Sequence, residues 1–388
     1  MKNIRKIFSL VLVCILCVTS FSSCEKAGTE LSDLMIIQGI GVDYKNGQYT
    51  VTVEILNNEQ SGSPSGDSVS ENKTKIYSIK GKSVSEALRL LTTQSGNLPL
   101  FAHNRVIVVN GDLNEKKISD VLEFFVRNFD SRATQLICIS KGKTAQEIIR
   151  AKLLKDTVKS EILENLLVES YNQSIIPRVR VIDAVNTLRN KSKVLCVPAV
   201  TIRKNGENED YEIKGCAIYD KNGKVSKFIN NEQTKGLAFL NNDAKQGFLT
   251  QPLSNGENVT IIINKSRTKY KVSTENGNFV YRLNIDISCD IDEIEKTNEQ
   301  LSDAEIINEL QKAIKDAVSQ RVGNTLRVLQ TPGGGDCIGF CKIAELQKPQ
   351  IYKVVKNNWQ QVFKNAKTKV SVNVKIRRIG EEILDNKN

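Results

Sequence analysis

Polar and apolar residues alternate from Gln48 to Leu56, with Thr50, Thr52 and Glu54 on one side and Val51, Val53 and Ile55 on the other. A period of two predicts a strand with one buried face. The preceding run, Leu31 to Val42, is also strand-like, and Lys45-Asn46-Gly47 supplies the turn between them. After a strand at Thr74 to Lys80 the period changes. Ser83 precedes Val84, Ala87, Leu88 and Leu91, which share one face of a capped helix. Val106-Ile107-Val108-Val109 reads as a short buried strand, and Ile118, Val121, Leu122 and Phe125 repeat the helical spacing. Gln135 to Ser140 is strand-like, Thr144 opens another helix, and helical patterns continue through Leu163, Leu167, Val181 and Leu188. Strands alternating with amphipathic helices predict an α/β (α+β) body, with central mixed or antiparallel sheets flanked by helices.

The second half opens with strands at Glu212 to Tyr219 and Val225 to Ile229 and a helix around Gln233 to Leu240. Val259 to Asn264, Lys269 to Ser273 and Tyr281 to Asp290 read as three antiparallel strands. Ser302 and Glu305 form a capping-box pair ahead of a helix carrying Ile307, Leu310, Ile314 and Ala317. Its pattern weakens from Arg321 to Thr331. A final helix from about Pro349 is expected to carry Ile351, Val355, Trp359 and Val362, before an alternating strand from Lys369 to Ile376. The charged break Lys204 to Glu209 marks the main boundary, giving regions 24–205 and 206–383, with a polar tail at 384–388. Residues 57–73, rich in Ser, Gly and Asn, are expected to form a mobile loop.

Residues 1–23 change the picture. Lys2, Arg5 and Lys6 precede the apolar run Ile7 to Val18, which is shorter than the roughly 20 residues a membrane-spanning helix needs. Phe21-Ser22-Ser23-Cys24 ends the run with small residues before a cysteine, the pattern of a lipoprotein signal peptide cut before a lipidated Cys24. A diacylated cysteine supplies the two chains that stable anchoring requires. The net charge of +11, three of whose positive charges lie in the leader, suits an anionic lipid surface. No nucleic-acid-binding module accompanies it.

Catalytic chemistry is sparse. His103 is the single histidine and reads as a hydrogen-bonded structural residue; Gly333-Gly334-Gly335 lacks the Lys-Ser or Lys-Thr of a phosphate loop and reads as a flexible turn. Cys138, Cys196 and Cys289 fall in strand-like runs, as buried thiols do. Cys337 and Cys341 are a close pair for which a local disulfide or half of a metal site is open. No catalytic residue, cofactor or metal site is expected.

Several motifs, in order, carry a resemblance. They are Glu30-Leu-Ser-Asp-Leu-Met-Ile-Ile-Gln-Gly-Ile-Gly-Val-Asp43, Gly81-Lys-Ser-Val-Ser-Glu-Ala-Leu88, Phe101-Ala-His-Asn-Arg-Val-Ile-Val-Val109 and Asp120-Val-Leu-Glu-Phe-Phe-Val-Arg127. Lys214-Gly-Cys-Ala-Ile-Tyr219, Asn231-Glu-Gln-Thr-Lys-Gly-Leu237 and Lys375-Ile-Arg-Arg378 follow. From Cys24 to about Gly380 the chain resembles the C subunits of spore nutrient germinant receptors, the Ger(x)C lipoprotein family. Asp336-Cys-Ile-Gly-Phe-Cys341 departs from the family's Asp-Ile-Phe-Gly-Phe-Gly, so Cys337 and Cys341 inherit no role. The resemblance implies three subdomains, anchorage by lipid outside the spore inner membrane, and assembly with membrane-embedded A and B subunits. It carries no catalytic residue. A solute-binding lipoprotein of a transporter is the rival reading, and it would require two similar lobes around a cleft.

Overall fold

The computed structural model describes residues 33–57, 73–113, 115–127, 131–154, 157–190, 192–254, 256, 258–294, 303–379 and 382–383. The leader, Cys24, Ser302, nearly all of the 57–73 segment and the polar tail lie outside the described residues.

The first sheet holds β1 (Leu34–Lys45), β2 (Gln48–Leu56), β3 (Thr74–Gly81), β4 (Leu98–Leu100), β5 (Val106–Asn110), β6 (Leu136–Ser140), β7 (Cys196–Asn205), β8 (Asn208–Tyr219) and β9 (Val225–Ile229). Its order is β3-β2-β1-β5-β6-β7-β8-β9, with β4 beside the start of β1. The four central strands β1, β5, β6 and β7 are parallel and the outer pairs antiparallel. Parallel strands need crossovers, and helices supply them. These are α1 (Val84–Ser95), α2 (Ile118–Arg127), α3 (Ala145–Ile149), α4 (Lys159–Asn172) and α5 (Val181–Arg189). Helices α1, α2 and α5 bury Leu91, Phe125 and Val181 against one face of the sheet; α3 and α4 bury Ile148 and Leu163 against the other. With both faces covered, β5 runs as continuous hydrophobic sequence, Val106 to Val109 all fully buried.

Local chemistry sets several of these boundaries. The β1–β2 turn places Asn46 (φ 53°) and Gly47 (φ 79°) in left-handed conformation, which an Asn-Gly pair tolerates. Ser83 caps α1 by accepting from Glu86 N, and Thr144 and Glu147 form a reciprocal capping box on α3. Lys204 to Glu209, where the sequence breaks, is the β7–β8 hairpin, so the first sheet runs through that point to Ile229.

Helix α6 (Asn231–Leu240) leads out of the first sheet towards the second. The second sheet orders β10 (Phe248–Pro252), β11 (Asn258–Glu275), β12 (Asn278–Ile294), β13 (Lys367–Ile379) and β14 (Glu382–Ile383). The two strands expected at Val259–Asn264 and Lys269–Ser273 are one, β11. A bulge between Ile263 and Lys265 resets its alternation, which is why the pattern looks interrupted. Helix α7 (Asp303–Gln330) is continuous through Arg321, correcting the weakened end read from sequence; Leu310, Ile314, Val318, Val322, Leu326 and Leu329 form its buried stripe. Then come α8 (Phe340–Gln347), α9 (Pro349–Val355) and α10 (Trp359–Asn365). The single final helix expected from Pro349 is thus two helices joined by a 3-10 turn at Lys356–Asn358, with Trp359 buried and Ile351 exposed. One hydrophobic core continues from the α3–α4 face of the first sheet, past α6 and α7, to the inner face of the second.

Candidate functional site

Three buried carboxylates define how the described residues are held. Asp43, at the end of β1, accepts from Ala145 N (2.8 Å), Gln146 N (2.9 Å) and Asn110 Nδ2 (2.6 Å). Burial pushes its carboxyl above the ordinary value, and those donors act against the shift. Glu54, fully buried on β2, accepts from Lys159 N (2.8 Å), Ser160 N (2.7 Å) and Thr74 Oγ1 (3.0 Å). Each caps the amino end of a helix, where unpaired N–H groups and the helix dipole favour an anion. The expectation that β2 has one buried face is therefore corrected: Thr52 and Glu54 are as buried as Val51 and Val53.

Asp336 is the third. It accepts from Gly339 N (2.8 Å), Phe340 N (2.9 Å), Cys341 N (2.8 Å) and Trp359 Nε1 (2.9 Å), with no exposed surface. One side chain thus starts α8 and ties it to α10. Its backbone carbonyl accepts from Val194 N (3.0 Å), at the entrance to β7. Gln360 bridges the same seam, with Nε2 donating to Ser192 O (2.7 Å) and Oε1 accepting from Asp336 N (3.1 Å). The glycine run before Asp336 is set by close approach, not flexibility. A Cβ on Gly334 would lie 2.3 Å from Leu329 O, and one on Gly335 2.9 Å from Val194 Cγ1.

Along this seam lies a groove of about 550 Å³, a size in the range of small-ligand pockets. Cys196, Cys337, Cys341 and Tyr270 line it, with Arg178, Lys193 and Lys342 set against Asp183 and Asp243. Arg180 holds Asp183 in a two-pronged pair (2.7 and 2.9 Å) that keeps its carboxyl below the ordinary range. Burial pushes the Asp243 carboxyl up. Hydrogen bonds with the Cys216 and then the Cys337 thiol pull Cys196 down; Cys216, chiefly by burial, and Cys337, chiefly through Cys196, are pushed up. The groove offers mixed charge and soft sulfur around an apolar floor, an arrangement suited to binding.

The residues singled out from sequence fall differently. Cys337 turns towards Cys196, while Cys341 sits beside Asp336, and all six described cysteines are free thiols. His103 is exposed at the end of a 3-10 turn, and its neighbour Asn104 is buried. Among the described residues no group of three or more His, Cys, Asp or Glu side chains is placed to hold a metal, and no helix is long and apolar enough to cross a membrane. Reasoning from sequence missed Asp43, Glu54 and Asp336. Asp336, three residues before Gly339 and the apolar start of α8, carried a local capping signal.

Comparison with known proteins decides the family. Residues 28–202 match the spore germination protein N-terminal domain, and 214–380 match the spore germination B3/GerAC-like C-terminal domain. The chain belongs to the GerAC-like family of spore germination proteins. Spore germination protein KC of Bacillus subtilis (strain 168) is 22% identical over 353 residues, covering 86% of each chain. Spore germination protein YndF of the same organism is 24% identical over 406 residues, covering 97% of each. The crystal structure of the GerBC protein shares the fold, with a TM-score of 0.56 and 20% identity over 87% of this chain and 96% of that one.

Proposed function

We propose that this protein is the C subunit of a spore nutrient germinant receptor, held by lipid on Cys24 at the outer face of the spore inner membrane. It works there by assembling with membrane-embedded A and B subunits rather than by catalysis. The observation that carries this reading is the match of both GerAC-like domains, in order, along nearly the whole chain. Tethering confines the search for partners to the membrane plane and raises their effective concentration without new contacts.

The groove favours a second reading, a solute-binding lipoprotein. That function needs two similar lobes. Here a nine-stranded sheet with a parallel centre faces a five-stranded sheet built on a long hairpin, and the connections differ throughout.

Cys24→Ala should abolish incorporation of labelled lipid and release the protein from membranes or leave an uncleaved precursor. A spore strain carrying that variant should respond poorly to one group of nutrients. Lipid labelling that persists in the variant would remove the anchor from this account.

A further inference from the structure

Helices α8 and α9 present Leu346 (73% exposed), Ile351 (39%) and Val354 (83%) to the outside. Lys342, Lys348, Lys353 and Lys356 flank them along the chain, with Glu345 as the one acid between Phe340 and Asn358, and no ion pair holds any of the four lysines among the described residues. Apolar side chains ringed by lysines, at the tips of short helices, have the chemistry of an interfacial contact with an anionic bilayer.

Topology says which way this patch faces. Strands β1, β5, β6 and β7 are parallel, so all start on one edge of the first sheet. The registers Gly39–Val106, Val106–Leu136 and Ile139–Ala199 put the start of β7 level with Gly39. Residues leading into β7 therefore project past the sheet on the side where Leu34 begins β1. Ser192 is one of them, and its Oγ lies 2.9 Å from the Tyr352 hydroxyl, which fixes α9 to that edge. Three strand spacings, about 14 Å, separate β7 from β1. Leu98, 51% exposed, stands beside Leu34 on the same edge. The ten residues from Cys24 to Leu34 span at most about 35 Å, so a lipid on Cys24 keeps this edge close to the bilayer.

We infer that the α8–α9 surface rests on the anionic lipid headgroups, with Leu346, Ile351 and Val354 at the headgroup level and the four lysines around them. The inference rests on the lipid-anchor reading of Cys24. It gives the body a fixed orientation, which a flexible tether alone does not.

The test uses the full lipidated chain in vesicles with brominated acyl chains, carrying Val354→Trp or, at the far end of β1, Lys45→Trp. The native Trp359 is buried (2% exposed) and supplies the baseline. In phosphatidylglycerol vesicles the Val354→Trp emission should lose most of its added intensity, while that of Lys45→Trp is not quenched. Adding Lys353→Glu and Lys356→Glu, or salt at about 1 M, should abolish the quenching. Protein that floats with the vesicles but shows no quenching at position 354 overturns the inference and leaves the anchor standing. Protein that neither floats nor quenches removes both. Equal quenching in phosphatidylcholine overturns the recognition of anionic lipid, and protection of position 354 only when a membrane protein co-purifies would assign the patch to that partner instead.

Discussion

Glu54 on the first sheet and Asp286 on the second occupy equivalent places in a period-two pattern, a carboxylate between apolar neighbours, yet they do opposite things. Asp286 lies on the outer face of a sheet that is covered on one side only. It pairs with Asn373 Nδ2 (3.0 Å) and Lys269 Nζ (3.1 Å) across neighbouring strands, with water beyond. Glu54 lies on a sheet covered on both sides, and its face of β2 meets the amino end of α4. Alternation therefore reports exposure only where no helix caps the polar face. In the first sheet the polar positions are structural: Thr52 and Ser78 hydrogen-bond each other (3.0 Å) under α3, and Gln146 of that helix and Arg150 just after it reach Ser78 at 2.9 and 3.0 Å.

Removing carboxylates one at a time separates the two regimes. Asp336→Ala, which orphans four buried donors, should have the largest effect, about 4 kcal/mol of unfolding free energy, read as a lower urea midpoint. Glu54→Ala leaves two helix N–H groups and the Thr74 hydroxyl without their acceptor and should cost about 3 kcal/mol by the same assay. Asp286→Ala should change stability by less than about 0.5 kcal/mol, as exposed pairs do. A loss at Asp286 as large as that at Glu54 would break the comparison.

The smallest effect is one of sign. Burial raises the Asp43 carboxyl above 3.8, so between 3.8 and its folded value the native state binds more protons than the unfolded chain. Its contribution to stability therefore falls as pH rises through that window. Hydrogen bonds from Asn373 and then Lys269 lower Asp286 below 3.8; its contribution is present above 3.8 and is lost as pH falls through the folded value. Subtracting the stability–pH curves of Asp43→Asn and Asp286→Asn from that of the parent should leave differences of opposite slope.

Signals were legible in the sequence where cause and effect are neighbours. Ser83 and its α1 stripe, the Asn46-Gly47 turn and the Thr144–Glu147 box all act within a few residues. The order of motifs carried the family in the same way. Glu54 and Asp43 meet their helix donors 102 to 106 residues away, so nothing near them in sequence distinguishes a cap from a solvated acid. The groove was illegible for the same reason, since its walls run from Pro177 to Leu346. The Cys337–Cys341 spacing drew attention to a pair, whereas the fold sets Cys337, in the loop before α8, against Cys196 at the start of β7. Ile351 matched a helical stripe only because the turn at Lys356–Asn358 is invisible to periodicity.

The central claim, action by assembly at a membrane, is tested most directly by affinity capture of the full-length protein from detergent-solubilised spore membranes, with co-purifying proteins identified by mass spectrometry. The account predicts recovery of an A-type and a B-type receptor subunit, reduced in the Cys24→Ala variant. Failure to recover either subunit, together with normal nutrient germination in a strain lacking the gene, would contradict it.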